Sequence, residues 1–489
     1  MKFSRLGLTL AVTVLSLDFS ARADLKLPAI FGDNMVLQQQ QSVPVWGWAA
    51  PGAAVTVKFS GQTRSTRADA TGQWRVKLDP LKASSAPQSL VIEADGTKTF
   101  TNILVGEVWL ASGQSNMEKP IGKQPGQKPV FNAETELAAA SFPNLRIFLV
   151  EKNLSATPLD DLQKFQGWQA CDSNALDRIH FSAAAYFFGR EIHTNLNVPV
   201  GLIESSWGGT RIEPWTPPAG FESVPALAKL AAPVAAGTNK ISNRQPTVLY
   251  NSMIAPIAGF ALRGALWYQG ESNLGDTNYD AKMSALVGGW RTLWHEGNFP
   301  FYFVQIAPYR YLKDEAKYSP DTDSLPPFWL QQSQAARQIK NTGMAVTTDL
   351  VDDLNNIHPR NKQEVGHRLA LLARHQTYGQ KSLVSSGPAF RKIKLSENKA
   401  VLKFDHADGG LVSRDNQPLT WFTIAGADGK FVPADAKIVD DTVEVSAAGV
   451  EKPVAVRFAW NQIAQPNLAN RAGLPAEPFR TDAPNAAWK

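Results

Sequence analysis

The chain has 489 residues, of which 44% are hydrophobic and 19% charged, and a formal net charge of +5. That balance excludes a disordered or collagen-like chain, and the length suits about three domains. The single cysteine, Cys171, excludes an intramolecular disulfide and any cysteine-cluster metal site, and no long Lys/Arg run marks a nucleic-acid face.

The first 23 residues read as a secretory signal. Lys2 and Arg5 precede a mostly apolar stretch from Leu6 to Leu17, and Ala21-Arg22-Ala23 fits a small-residue cleavage pattern. The stretch is too short to span a bilayer. The expectation is a secreted or periplasmic protein, cleaved after Ala23, with no stable membrane insertion.

Residues 24–104 alternate apolar and polar side chains in short runs (Val43–Trp48, Val55–Phe59, Trp74–Leu78) separated by Pro51-Gly52 and Thr71-Gly72. This pattern predicts a small β-sandwich domain. From 105 to 385 strand-like runs alternate with helix-like ones. Val105–Leu110, Val198–Ile203, Ala265–Tyr268 and Phe301–Ile306 read as strands. Phe181, Ala184, Ala185, Phe188 and Ile192 keep helical spacing, as do Val365, Leu369, Leu372 and Ala373. Such alternation predicts an α/β domain with a parallel sheet covered on both faces. Within it, residues 310–327 read as a long functional loop. From 386 to 489 the β pattern returns (Lys399–Phe404, Trp421–Ile424, Val443–Val445, Val454–Phe458), predicting a C-terminal β domain.

Four segments carry candidate chemistry, each at a predicted strand end. In Gly113-Gln114-Ser115-Asn116-Met117 a serine sits on a tight turn after a strand, where its Oγ is exposed and a helix N-terminus follows. Ser205-Ser206-Trp207-Gly208-Gly209-Thr210 offers backbone N–H groups to an oxyanion. Trp267-Tyr268-Gln269-Gly270-Glu271-Ser272-Asn273 supplies two neutral side-chain donors, Gln269 and Asn273. Asn355-Asn356-Ile357-His358-Pro359 places a histidine in a loop before a helix, near Asp352 and Asp353. Serine, imidazole, orienting acceptor and oxyanion donors are the parts an ester hydrolase needs. The absence of a Gly-x-Ser-x-Gly elbow at Ser115 argues against the α/β-hydrolase family.

Other residues read more plainly. Glu107 and Glu118 are structural polar partners, and Cys171 is a buried thiol. Glu213 and Glu271 could be imagined as an acid pair for glycoside hydrolysis, but both sit inside motifs that the ester-hydrolase reading already explains. Trp215, following Pro214, is a candidate to touch a sugar. Arg211 suits either a substrate carboxylate or a loop ion pair. No His/Asp grouping suggests a metal, so neither metal nor other cofactor is expected.

Taken together, VGEVWLASGQSNME, SSWGGTRIEPW, WYQGESN and NNIHPRNKQEVGHRLA resemble the sialate O-acetylesterase family of SGNH hydrolases, over nearly the whole mature chain. The resemblance implies a flavodoxin-like three-layer catalytic domain and serine-dependent removal of O-acetyl groups from saccharides. It implies Ser115 as nucleophile and His358 as base. As oxyanion donors it implies the Ser115 N–H, Gly209 and Gln269, with Asn273 a weaker one. The family commonly has an aspartate three residues before the histidine, where this chain has Asn355. The orienting group is therefore open between Asp353, Asn355 and Asn356, or absent in a Ser–His dyad. Sialic acid and plant hemicellulose (xylan or xyloglucan) are both open as substrates, and a non-catalytic glycan-binding protein is the alternative of a different class.

Overall fold

The computed structural model describes residues 24–232, 241–314, 318–319, 322–407 and 409–482. The expected signal segment, 1–23, lies outside the described residues. At the centre is a mixed α/β unit. Its sheet is built from β1 (Thr97–Gly113), β2 (Ser141–Val150), β3 (Phe165–Asp172), β4 (Val200–Ser206), β5 (Gly264–Tyr268), β6 (Phe301–Val304) and β7 (Thr342–Ala345). The spatial order is β7-β6-β5-β1-β4-β2-β3. All neighbours run parallel except the β2–β3 pair. With that hairpin set aside as an edge addition, β4-β1-β5-β6-β7 follows the chain order second, first, third, fourth, fifth.

These strands are apolar on both faces because both faces are covered. Leu110, Ile203, Trp267 and Phe303 point to one core, shared with Leu286 of α3 (Tyr279–Trp294) and Trp329 of α4 (Leu325–Gln338). Trp109, Leu202, Tyr268 and Tyr302 point to the other, shared with Phe188 of α2 (Ala183–Leu196) and Leu369 of α5 (Lys362–Leu372). A four-residue helix, α1 (Ser115–Glu118), follows β1. Trp109, Trp267, Trp290 and Trp329 are fully buried, each such side chain being worth about 1.5–3 kcal/mol relative to exposure. Many of the tryptophans are therefore core residues.

The expected boundary at 104/105 falls inside a continuous strand. The first part of β1 pairs antiparallel with Ser84–Glu93 and the last part joins the central sheet. Val36, Ile103 and Val108 accordingly share one core. Towards the C-terminus, antiparallel sheets such as Ala389–Ser396 with Lys399–Asp405 and Phe422–Ala425 with Ala455–Phe458 enclose a separate core around Leu402, Ile424 and Phe458. The expected loop 310–327 ends early, because α4 begins at Leu325. Pro326 and Pro327 lie in its first turn, where no N–H is needed. Among the described residues no helix is long and apolar enough to cross a membrane.

Candidate active site

Register brings three strand ends together. Ser206 of β4 and Tyr268 of β5 both lie opposite Gly113 of β1, so their following loops meet at the carboxyl edge of the sheet. The Gln114 N–H donates to the Tyr268 carbonyl at 3.0 Å, and the Trp207 N–H donates to the Gly113 carbonyl at 3.0 Å. Gly113 has φ +142°, and a Cβ there would lie 2.2 Å from the Tyr268 carbonyl oxygen. Only glycine allows β1 to approach β5 this closely before the chain turns into α1.

That turn presents Ser115. A hydrogen bond of 2.9 Å joins Ser115 Oγ to His358 Nε2, across 243 residues of sequence. His358 arrives on the loop between β7 and α5. The loop is held by Arg368, which grips Asp349 with two bonds of 2.7 Å and donates to the Val346 carbonyl at 2.6 Å. Burial, with smaller contributions from Lys362 and Lys119, pushes the imidazole down to about 4. A neutral ring can accept the serine proton, the arrangement that a nucleophilic serine requires.

The three candidate orienters do not reach the ring. Asp353 accepts from the Asn355 N–H at 3.0 Å and from Lys128 Nζ at 3.2 Å, and these donors hold its carboxyl below the usual range. Asn356 Oδ1 accepts from the backbone N–H of His358, at 3.0 Å. Asn355 is exposed. Among the described residues no hydrogen bond connects any of these side chains to the imidazole.

The glycine turn lies beside the serine. The Gly208 N–H donates to Glu118 Oε2 at 2.6 Å, and Glu118 also forms an ion pair with Lys152. A Cβ on Gly208 would lie 3.1 Å from the Cβ of Ser115. Gly209 is exposed, with φ +74° and open space around it. The first-turn N–H of Ser115 has no acceptor within its own helix.

Gln269 and Asn273, expected as oxyanion donors, are spent elsewhere. Gln269 Nε2 donates to Gln114 Oε1 at 3.1 Å, the Thr210 carbonyl at 3.1 Å and Asn273 Oδ1 at 2.7 Å. Asn273 Nδ2 donates to Glu213 and Asp276 at 3.1 and 2.8 Å. Both amides are fully buried and join the loops to one another. Trp215, expected against a sugar, is also fully buried. It meets Trp267 edge-on with ring centroids 6.2 Å apart, and its indole N–H donates to Thr210 Oγ1 at 3.0 Å. Arg211 pairs with Asp276 at 2.8 Å and Glu213 at 3.1 Å, carboxylates that Lys282 also holds. It is a loop ion pair, and Glu213 has no free oxygen facing a cleft partner. Glu107 is bound by Arg263 and the Tyr378 hydroxyl, and Cys171 is buried.

Sequence reasoning missed Gln114, Asn116 and Lys362. Gln114 Oε1 accepts from the Gln269 side chain and the Ser272 N–H, at 3.1 and 3.2 Å. Its position next to the serine was the available signal. Lys362 carries none, because a lysine at a helix start reads as surface charge, yet this one is fully buried. Next to Glu118 lies a cleft of about 470 Å³, lined among others by Lys152, Lys164, His180, Glu204 and Ser206. Among the described residues no group of three or more His, Cys, Asp or Glu is placed to hold a metal ion.

Comparison with known proteins shows what the chain as a whole is similar to. Residues 105–374 match the family described as "Carbohydrate esterase, sialic acid-specific acetylesterase". The chain is 32% identical to the sialate O-acetylesterase of Homo sapiens over 518 residues, covering 97% of this chain and 95% of that protein. It is also 32% identical to the Mus musculus enzyme, covering 90% of each. A crystal structure of a carbohydrate acetylesterase from Xanthomonas citri is similar at 38% identity and a TM-score of 0.83, covering 94% of this chain and all of the other.

Proposed function

Because the chain belongs to the sialic acid-specific acetylesterase family of carbohydrate esterases, we propose that Ser115 is its nucleophile and His358 its general base. The protein is a carboxylic ester hydrolase that removes O-acetyl groups from carbohydrates. The single observation carrying the residue assignment is the 2.9 Å bond between Ser115 Oγ and His358 Nε2. His358 takes the hydroxyl proton as Oγ attacks the acetyl carbonyl. The tetrahedral oxyanion faces the N–H groups of Ser115 and Gly209. The C–O bond to the sugar breaks, and His358 returns its proton to the departing sugar hydroxyl. Water, deprotonated by the same ring, then attacks the acetyl-enzyme, acetate leaves and Ser115 recovers its proton.

The strand order supports a flavodoxin-like, three-layer SGNH catalytic domain at 105–385. The reading places sandwich-like β domains at 24–104 and 386–489, and export by a signal ending at Ala23. The cleft beside Glu118, which accepts the Gly208 N–H, is the candidate place for the saccharide by its volume. Lys164 lines that cleft together with Glu118, Glu151 and Glu204, and it is the family match that favours O-acetylated sialic acid over acetylated xylan or xyloglucan. Acetate release should be faster from O-acetylated sialic acid than from acetylated xylooligosaccharides. A preference for the xylooligosaccharide would overturn the sialate assignment.

The glycine turn gives a further test. A Cβ at Gly208 would lie 2.9 Å from Glu118 Oε2 as well as close to Ser115, so the turn must shift. Gly208→Ala should lower kcat for p-nitrophenyl acetate by on the order of 10- to 100-fold with an unchanged melting temperature. A wild-type rate would remove this turn from the oxyanion site.

A further inference from the structure

Among the described residues no carboxylate bonds the imidazole of His358, yet its backbone is clamped on both sides. Asn116, next to the nucleophile, donates through Nδ2 to the carbonyl of Ile357 at 3.0 Å and to Glu271 Oε1 at 2.5 Å. Its Oδ1 accepts from Lys362 Nζ at 2.7 Å, and the same Nζ donates to the carbonyl of Pro359 at 2.9 Å. The residues before and after His358 are thus tied to the residue after Ser115, and Glu271 brings in the loop after β5. Lys362 Nζ also lies 5.0 Å from the Tyr268 ring centroid. Asn116 is 1% exposed and Lys362 0%.

We propose that Lys362, Asn116 and Glu271 form a positioning knot that holds His358 against Ser115 from the backbone side, in place of a carboxylate on Nδ1. The inference rests on the Ser–His reading above. Its residues are positioning residues, since none of them bonds the reacting atoms. An aspartate on Nδ1 fixes a ring by gripping it, whereas this knot fixes the peptide units that carry the ring. Removing it frees the loop without removing either reacting group.

The charges around His358 bear on the same device. Lys362 comes from α5, Lys119 and Glu118 from the end of α1, and Glu271 from the loop after β5. Asp352, Asp353 and Arg360 come from the histidine's own loop, and Lys128 from the segment opposite it. Asp353 is paired with Lys128 and Arg360 lies 3.8 Å from Asp352. Burial depresses the ring most, and Lys362 and Lys119 add to it, while burial also holds the Lys362 amine itself well below the usual lysine range. Loss of Lys362 therefore moves the imidazole upward by the smaller, electrostatic part of its depression.

The test compares full-length Lys362→Met, Asn116→Ala, Glu271→Leu and Glu271→Gln with Ser115→Ala and wild type, using p-nitrophenyl acetate. Asn116→Ala and Lys362→Met should lose about 10²-fold in kcat, the scale of a small misplacement of a reacting group, with KM within about 2-fold. In Lys362→Met the acid limb of kcat/KM should also move to higher pH. Glu271→Gln, which keeps an acceptor for Asn116, should restore most of the rate lost in Glu271→Leu. If Lys362→Met does not fold, the Asn116→Ala split between kcat and KM decides the matter. A wild-type kcat in folded Asn116→Ala, or a loss carried by KM, overturns the knot. An active Ser115→Ala overturns the underlying Ser–His reading instead.

Discussion

Ser115→Ala should reduce kcat for acetyl ester hydrolysis by about 10³-fold or more, the typical loss when the serine of a serine hydrolase is removed. The substitution deletes a half-buried Oγ whose hydrogen bond goes to His358. Gly113 sets the turn through its approach to Tyr268, and Gln114 holds the neighbouring loops, so neither depends on the serine hydroxyl. Fold and melting temperature should therefore remain, and KM should change little. Burst-phase release of p-nitrophenol, reporting the acetyl-enzyme, should vanish with the turnover. A folded Ser115→Ala protein with near-normal turnover would mean that the nucleophile lies elsewhere.

His358→Ala should cost about as much, since nucleophile and base act as a unit. The pH profile of the wild type carries more information. A protonated ring cannot accept the serine proton, so kcat/KM falls as pH drops through the free-enzyme value of the base. For an unperturbed histidine that fall lies near ~6.5. Burial, Lys362 and Lys119 push His358 down to about 4, so the acid limb should lie near pH 4 and the rate should stay flat from about pH 5 to 8. An acid limb near 6.5 would show that burial does not depress the ring in the working enzyme. A carboxylate on the ring would show instead as an Asp353→Ala loss matching the serine loss, whereas the observed contacts of Asp353 with Lys128 and the Asn355 N–H predict a much smaller effect.

Local chemistry made much of this protein legible. Gln73–Leu78 alternates because one face is buried, and β4 and β5 are buried along their whole length because both faces are covered. Ser115, the Gly208-Gly209 turn and His358 stand out because each follows or precedes an element whose period is strong. Elements whose pattern is broken by charge or proline were harder to read. The β2–β3 hairpin carries Arg146 and Gln169 among its apolar residues, and α4 opens on two prolines that read as loop.

Residue order thus determined the strand–helix alternation, the serine turn, the glycine turn and the histidine loop, since each depends on neighbours a few positions away. The fate of each polar side chain was decided only by tertiary structure. Gln269, Asn273 and Arg211 look like free donors in sequence, and the folded chain spends them on partners as far as 155 residues away. Trp215 becomes core, and Lys362 becomes a buried tie between the serine and histidine loops. Hydrogen bonds and ion pairs act over about 3 Å whatever the sequence separation, so their partners exist only once the sheet has brought the strand ends side by side.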